Sequence, residues 1–283
     1  MAPTVPTAGR DGTPTSAATE QEALIDPVDQ NMVYGCSQYG VCARSTNGGD
    51  STFDFTGATM SSRRNWLTPV QFDPANPAVL YYAGNQVNRS VDHAVHWAVI
   101  SPDLTGGPGR DPNYPFGTVT TVAGAKTDPN RVLAGTDDGR LWFTTNLGGN
   151  WTQVTDPDVP GTWVTRVTVD PVNANVAYAT FSGFRSGVAL PYVLKTTDGG
   201  ATWASIVGNL PQAPVNDIVV AGSVLYVGTD VGVFSSANGG AKMAHRRVER
   251  YRTSRSPTWS IGPRPTRFTP PPSAEGCSCC RLP

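Results

Sequence analysis

The chain has 283 residues, a formal net charge of −1, only 15% charged residues, 30 glycines and 25 prolines. That is enough for one large all-β domain or two smaller ones, poor in charge beside the roughly 25% of an average soluble domain, and rich in turns. No apolar run approaches the ~18 residues that a membrane-spanning helix needs, so a transmembrane helix is excluded.

In chain order, residues 1–21 match nothing that follows and read as a flexible or spurious leader. Met1 to Ala18 has no hydrophobic signal core, so either a signal peptide is missing from this chain or the protein stays inside. From residue 22 one unit recurs. In the first copy Ile25-Asp26-Pro27 leads to the apolar Met32-Val33-Tyr34. The box Ser45-Thr46-Asn47-Gly48-Gly49 follows, with Phe53 near the place that Trp takes in later copies. Cys36 and Cys42 flank a short loop in this copy, and a disulfide and two free thiols are equally open. In the second copy Phe72-Asp73-Pro74 leads to Val79-Leu80-Tyr81 and the box Ser90-Val91-Asp92-His93-Ala94-Val95-His96-Trp97.

The third copy runs from Thr127-Asp128-Pro129 through Val132-Leu133 to Thr144-Thr145-Asn146-Leu147-Gly148-Gly149-Asn150-Trp151. The fourth runs from Val169-Asp170-Pro171 through Val176-Ala177-Tyr178 to Thr196-Thr197-Asp198-Gly199-Gly200-Ala201-Thr202-Trp203. The fifth has Val224-Leu225-Tyr226 and Ser236-Ala237-Asn238-Gly239-Gly240, with Met243 where Trp belongs. The boxes begin at 45, 90, 144, 196 and 236, so they are spaced by 45, 54, 52 and 40 residues. That is the length of one propeller blade.

Short runs of β-branched and aromatic residues bounded by turn residues predict four strands, A to D, per copy. The third copy places strand A at 118–123, B at 131–136, C at 141–145 and D from Trp151. The fourth places them at 163–169, 175–181, 192–197 and from Trp203. The box makes the turn between C and D. Its Asp or Asn accepts hydrogen bonds from turn N–H groups, and its glycine allows a positive φ. Asn47, Asp92, Trp97, Asn146, Trp151, Asp198, Gly200, Trp203 and Asn238 are therefore expected to build the fold rather than do chemistry. The pair His93 and His96 reads as a degraded box, and no metal is expected there.

This S/T-x-D/N-x-G-x-x-W box within A–B–C–D sheets resembles the Asp-box, or bacterial neuraminidase repeat, family. Its members include sialidases, xyloglucanase-type glycoside hydrolases, sortilin-type receptors and photosystem assembly factors. The resemblance covers about residues 22–243 and implies an all-β β-propeller of four-stranded antiparallel blades. About five blades are legible, and the expectation is an incomplete propeller, its first blade short of strand A and its last short of strand D. The stretch Gly135-Thr136-Asp137-Asp138-Gly139-Arg140 looks most like large secreted bacterial glycosyl hydrolases, which implies an extracellular parent protein.

Residues 244–283 break the pattern. From Lys242 onward there are nine Lys+Arg against two acids, which alone would suggest a nucleic-acid partner. A shifted reading frame explains the composition better. Read two bases later with suitable synonymous codons, Arg250 to Ser278 spells VPNVPVTDLEYRPATNTVYAATFGRGMF. That string matches the repeat LPQAPVNDIVV…VLYVGTDVGVF between Leu210 and Phe234. A separate shift at Met243 turns ATG plus G into TGG, the codon of the missing Trp. Arg246, Arg247, Arg250 and Arg252 are thus not read as a nucleic-acid patch. His245, Cys277, Cys279 and Cys280 are not read as a metal site. No cofactor, nucleic-acid or membrane partner is expected, and the sequence does not address oligomeric state.

In a propeller the B–C and D–A loops share the face opposite the C–D turns. That face would carry Asp137, Asp138 and Arg140, Arg185 in the 182–191 loop, and Asp230. The segment Ser101 to Phe116 adds Asp103, Arg110, Asp111, Tyr114 and Phe116, and the next such loop adds Asp156, Asp158 and Trp163. Glycoside hydrolysis uses two carboxylates flanking the scissile bond, so Asp137, Asp138 and Asp158 are the catalytic candidates. Arg110, Tyr114, Trp163, Arg185 and Asp230 are the ligand-binding candidates, for a polysaccharide or glycoprotein. The resemblance implies a Tyr–Glu nucleophile for sialidases, but Glu occurs only at Glu20, Glu22, Glu249 and Glu275, outside the legible blades. That disfavours sialidase chemistry and leaves a pair of Asp as the route to hydrolysis. A non-catalytic propeller that binds protein or peptide is the alternative.

Overall fold

The computed structural model describes residues 22–51, 53–54, 63–109 and 116–246. The leader and the Arg/Pro-rich tail beyond Arg246, with the frame reading of Arg250 to Ser278, lie outside the described residues, as do Arg110 and Tyr114.

Twenty strands form five four-stranded sheets, each made of four consecutive strands in sequence order. Blade 1 is β1 (Glu22–Ile25), β2 (Val33–Cys36), β3 (Cys42–Ser45) and β4 (Phe53–Asp54). Blade 2 is β5 (Val70–Phe72), β6 (Leu80–Ala83), β7 (Val87–Ser90) and β8 (Ala98–Val99). Blade 3 is β9 (Val119–Ala125), β10 (Asp128–Thr136), β11 (Leu141–Thr144) and β12 (Thr152–Gln153). Blade 4 is β13 (Trp163–Val169), β14 (Ala177–Ser182), β15 (Tyr192–Thr196) and β16 (Ala204–Ser205). Blade 5 is β17 (Val215–Ala221), β18 (Val224–Thr229), β19 (Gly232–Ser236) and β20 (Ala244–Arg246). All pairings are antiparallel, as hairpin connections require. The sheets are the blades of a β-propeller.

The sequence leaves the first blade without strand A and the last without strand D; both strands are present. Glu22 to Ile25 pairs with Cys36 to Val33, and Ala244 to Arg246 pairs with Ser235 to Val233. Main-chain pairing needs no particular side chain, so β20 forms even though its three residues are all exposed.

The Asp-Pro dipeptides explain themselves at the A–B hairpins. Asp26 Oδ1 accepts the N–H groups of Val28 and Asp29, Asp73 Oδ1 those of Ala75 and Asn76, and Asp170 Oδ1 those of Val172 and Asn173. A carboxylate that bonds the backbone two and three residues on is an Asx turn, and the proline presets φ for it.

The C–D turns repeat one hydrogen-bond pattern five times. The first Ser or Thr hydroxyl donates to the Asx side chain two residues on, at 2.7–2.9 Å. Its oxygen accepts the N–H four residues on: Gly49, Ala94, Gly148, Gly200 and Gly240. The Asx oxygen accepts the N–H four residues beyond the Asx, from Ser51, His96, Asn150, Thr202 and Lys242. His93 and Ala94 keep this geometry with φ of 56° and 65°, a conformation that glycine adopts more cheaply. The turns also tie back to their own blade: Gly48, His93, Leu147 and Gly199 donate to carbonyls of Asn31, Ala78, Asn130 and Asn175 in the A–B turns.

The Trp of each turn packs into the core shared with the preceding blade rather than within its own. Trp97 joins Tyr34, Leu80 and Tyr82; Trp151 joins Val79, Tyr81 and Val132; Trp203 is buried with Leu133, Leu141 and Val154. Trp151 Nε1 donates to the Ile100 carbonyl at 2.7 Å and Trp203 Nε1 to Gly200 at 2.9 Å. Met243 fills the equivalent place beside Tyr178 and Val193 of blade 4. Between inner strands, Thr120 Oγ1 donates to the Val164 carbonyl and Thr165 Oγ1 to the Val215 carbonyl.

Candidate functional site

The alternation of strands puts all B–C and D–A connections on the face opposite the Asx turns. On that face the B–C turn of blade 3 is a clamp. Asp137 is fully buried; its Oδ1 accepts the Thr118 N–H at 2.8 Å and its Oδ2 the Gly117 N–H at 2.9 Å. Its own N–H donates to the Thr118 carbonyl. Burial, with the neighbouring Asp138 charge adding to it, pushes its carboxyl up to about 6, against the backbone N–H bonds that pull it down. Asp138 Oδ1 accepts the Thr136 hydroxyl at 2.5 Å, and its Oδ2 accepts the Gly106 N–H at 2.8 Å and meets Arg140 Nε at 3.1 Å. Gly139 has φ +81°, and a Cβ there would lie 2.2 Å from the Gly161 carbonyl carbon, so the D–A segment of blade 4 closes directly over the turn. Glycoside hydrolysis uses two carboxylates flanking a bond; here both oxygens of Asp137 and Oδ2 of Asp138 hold the D–A segment of blade 3, and Oδ1 of Asp138 holds Thr136 within the B–C turn itself.

Asp158 is exposed in the next D–A segment, and its N–H donates to Asp156 Oδ1. Asp156 Oδ2 accepts the Trp203 N–H at 2.9 Å, so Asp156 is a strut between blades 3 and 4. Asp230, exposed in the B–C turn of blade 5, accepts from Asn216 Nδ2 at 2.7 Å.

Trp163 and Arg185, far apart in sequence, come together. The Arg185 guanidinium carbon lies 4.7 Å from the Trp163 ring centroid and 5.6 Å from that of Phe116. Arg185 is exposed, in a short 3-10 turn (Phe184–Ser186) of the B–C loop whose neighbour Phe184 is 73% exposed. Cation–π contacts of this kind hold a guanidinium by its plane.

Sequence reasoning missed a second aromatic pair. Tyr39, in the B–C loop of blade 1, meets Trp66, in the D–A loop of blade 2, edge-to-face at 5.2 Å, and about 45% of each residue is exposed. The Tyr39 N–H donates to the Trp66 carbonyl at 3.0 Å, and Tyr39 has φ +58°. A left-handed non-glycine residue costs roughly 1 kcal/mol or more. The Cys36–Cys42 disulfide, which the sequence left open, closes the base of this loop across the register pair of β2 and β3. No periodic signal marks these loops, and only the odd cysteine spacing pointed there. Arg63 and Asn85 also went unread: Arg63 pairs with Asp103 and donates to the Gly117 carbonyl, and Asn85 donates to Asp103.

A cavity of about 370 Å³ lies between the inner strands of blades 2 to 5. Its polar lining includes Lys126 and the Arg166–Asp217 pair, with Nε to Oδ1 at 2.7 Å. Pro74, Lys126 and Pro171 place it toward the A–B turns, away from the loop face. His96 Nδ1 lies 2.6 Å from Asp92 within its own turn. Among the described residues no group of three or more His, Cys, Asp or Glu converges to hold a metal, and no helix is long and apolar enough to cross a membrane.

The five four-stranded sheets and their hairpin connections define a β-propeller. No family model matches the chain. A curated xyloglucanase from a Paenibacillus species is 25% identical over 244 residues, which are 74% of this chain and 23% of that protein. The chain thus spans under a quarter of that relative's length. An ancestral GH74 enzyme matches in structure with a TM-score of 0.60 at 20% identity, over 86% of this chain and 32% of its own. The GH74 xyloglucanase of Xanthomonas campestris matches with 0.59 at 15% identity, over 81% and 37%. YCF48 bound to a D1 peptide matches with 0.53 at 10% identity, over 82% and 67%. At these identities the structural likenesses establish the fold.

Proposed function

We propose that this chain is the glycan-binding part of a secreted, glycosyl-hydrolase-type propeller, with its recurring C–D turns being Asp-boxes. The observation that carries the reading is the loop face. It presents exposed aromatic side chains, Tyr39, Trp66 and Phe184, and a ring-stacked Arg185, on loops held rigid by backbone bonds and a disulfide. Flat aromatic surface with a few fixed polar groups is what concave ligand sites use. The relative named a xyloglucanase points to polysaccharide as the ligand class. Asp137 and Asp138 act as struts in this reading, so the chain by itself binds without hydrolysing.

Affinity electrophoresis through gels carrying soluble polysaccharides, xyloglucan among them, tests this. The chain is expected to be retarded, with Trp66→Ala weakening retardation and no reducing sugar released. Free migration through every glycan gel would overturn it, and capture of a peptide instead would put the assembly-factor type of function in its place.

A further inference from the structure

The Arg185 guanidinium is oriented by aromatic rings rather than by an acid. Trp163 and Phe116 lie at 4.7 and 5.6 Å from its central carbon, and among the described residues no carboxylate pairs with it. Two other described arginines of the loop face differ. Arg63 is committed to Asp103, and Arg140 to Asp138. A guanidinium stacked by its plane keeps its N–H donors at the edge, in the fork geometry that matches a carboxylate. The ring contacts orient the guanidinium without taking up its N–H donors. The same contact covers one side of Trp163, so that face of the ring is not offered to a neutral sugar.

We infer that Arg185, stacked on Trp163 and Phe116, is the anchor for a carboxylate-bearing sugar, so that the loop face selects uronate-containing polysaccharide over neutral glucan. This rests on the glycan-binding reading above and narrows its ligand class. The bond is reversible and charge-assisted, from the guanidinium N–H edge to the two oxygens of a sugar carboxylate. It needs no group beyond those of the chain and the glycan.

The test compares binding of the whole chain to polygalacturonate, to its methyl-esterified form and to neutral xyloglucan, by isothermal titration at low and high salt. The expected result is tighter binding of polygalacturonate that weakens with salt and on esterification. Arg185→Gln should lower that affinity about tenfold, the scale of one charge-assisted pair, and lower xyloglucan affinity by less. Arg185→Lys should recover only part of the loss, because a lysine carries the charge without the planar fork. Equal affinity for charged and neutral polymers, unmoved by Arg185→Gln, would overturn the inference while leaving glycan binding standing. So would tighter binding of a peptide with a free C-terminal carboxylate than of polygalacturonate. An Arg185→Gln loss shared equally by all ligands, together with a lower melting temperature, would assign Arg185 a packing role and overturn it as well. Failure of all glycans to bind would remove both readings.

Discussion

The carboxylate of Asp137 holds the backbone at Thr118: Oδ1 takes the Thr118 N–H at 2.8 Å, and the Asp137 N–H returns to the Thr118 carbonyl. A B–C turn is thereby bonded to the start of the inner strand of its own blade. The cost is a buried charge. With its carboxyl pushed up to about 6 against an ordinary 3.8, the folded state holds a proton more readily than the unfolded chain between those values. Stability should therefore rise as pH falls from about 7 toward 4, by up to about 3 kcal/mol at about 1.4 kcal/mol per unit. Thermal melts across this range should show the rise for the native chain and a flatter profile for Asp137→Asn. That variant places an N–H₂ against a backbone N–H, so it should also melt lower at pH 4.

Gly199 should be irreplaceable. Its φ is +81°, and a Cβ built on it lies 1.4 Å from Arg131 Nη1, which donates to the Gly199 carbonyl across the blade 3–blade 4 boundary. Gly199→Ala is expected to destabilise by about 1–2 kcal/mol in urea unfolding, from the left-handed backbone and the lost Arg131 bond as that flexible side chain moves aside. Adding Arg131→Ala should relieve the clash and leave roughly the 1 kcal/mol of the left-handed backbone. A neutral Gly199→Ala would contradict this packing.

Reducing the Cys36–Cys42 disulfide, or replacing both cysteines by serine, should lower stability by about 2 kcal/mol, the chain-entropy scale of so short a loop. The Tyr39–Trp66 pair sits on the loop it closes. Trp fluorescence should therefore shift toward that of exposed indole on reduction, before global unfolding.

The frame reading of the tail makes a separate prediction. DNA resequencing should show insertions or deletions near codons 240–250, one of which restores Trp at the position of Met243. Met243 is buried where the other copies place Trp, between blades 4 and 5. A clean in-frame read, confirmed by mass spectrometry of the native protein, would reject the shift.

The fold was legible because its devices are local. The spacing of an Asx side chain from the N–H groups it accepts is set within eight residues, so Thr196 to Trp203 reads alike in sequence and in space. Strand β13 lies where the sequence put it, at about 163–169, for the same reason, its pattern being bounded by turns on both sides. The loop face was legible only in part. Trp163 and Arg185 could be assigned to that face, but their contact depends on how the B–C loop of blade 4 turns back over the start of β13, where Trp163 pairs with Ser182. Asp137 and Asp138 look in sequence like any pair of loop carboxylates. Only the approach of Gly117, Thr118 and Gly106, 19 to 32 residues away, shows what their oxygens do.

The bonds from the C–D turns to the A–B turns of the same blade, such as Gly199 to Asn175, have a wider meaning. Blades 1 to 4 each fasten their two turns on that side with a backbone bond of their own. A gene encoding such units can gain or lose them whole, since a duplication brings its own fastening with it. The hydrophobic seam between blades accepts Trp, or Met at residue 243, with the hydrogen bonds inside the C–D turn unchanged. Growth by whole modules, with the opposite face free to diverge, is the kind of change that this arrangement tolerates best.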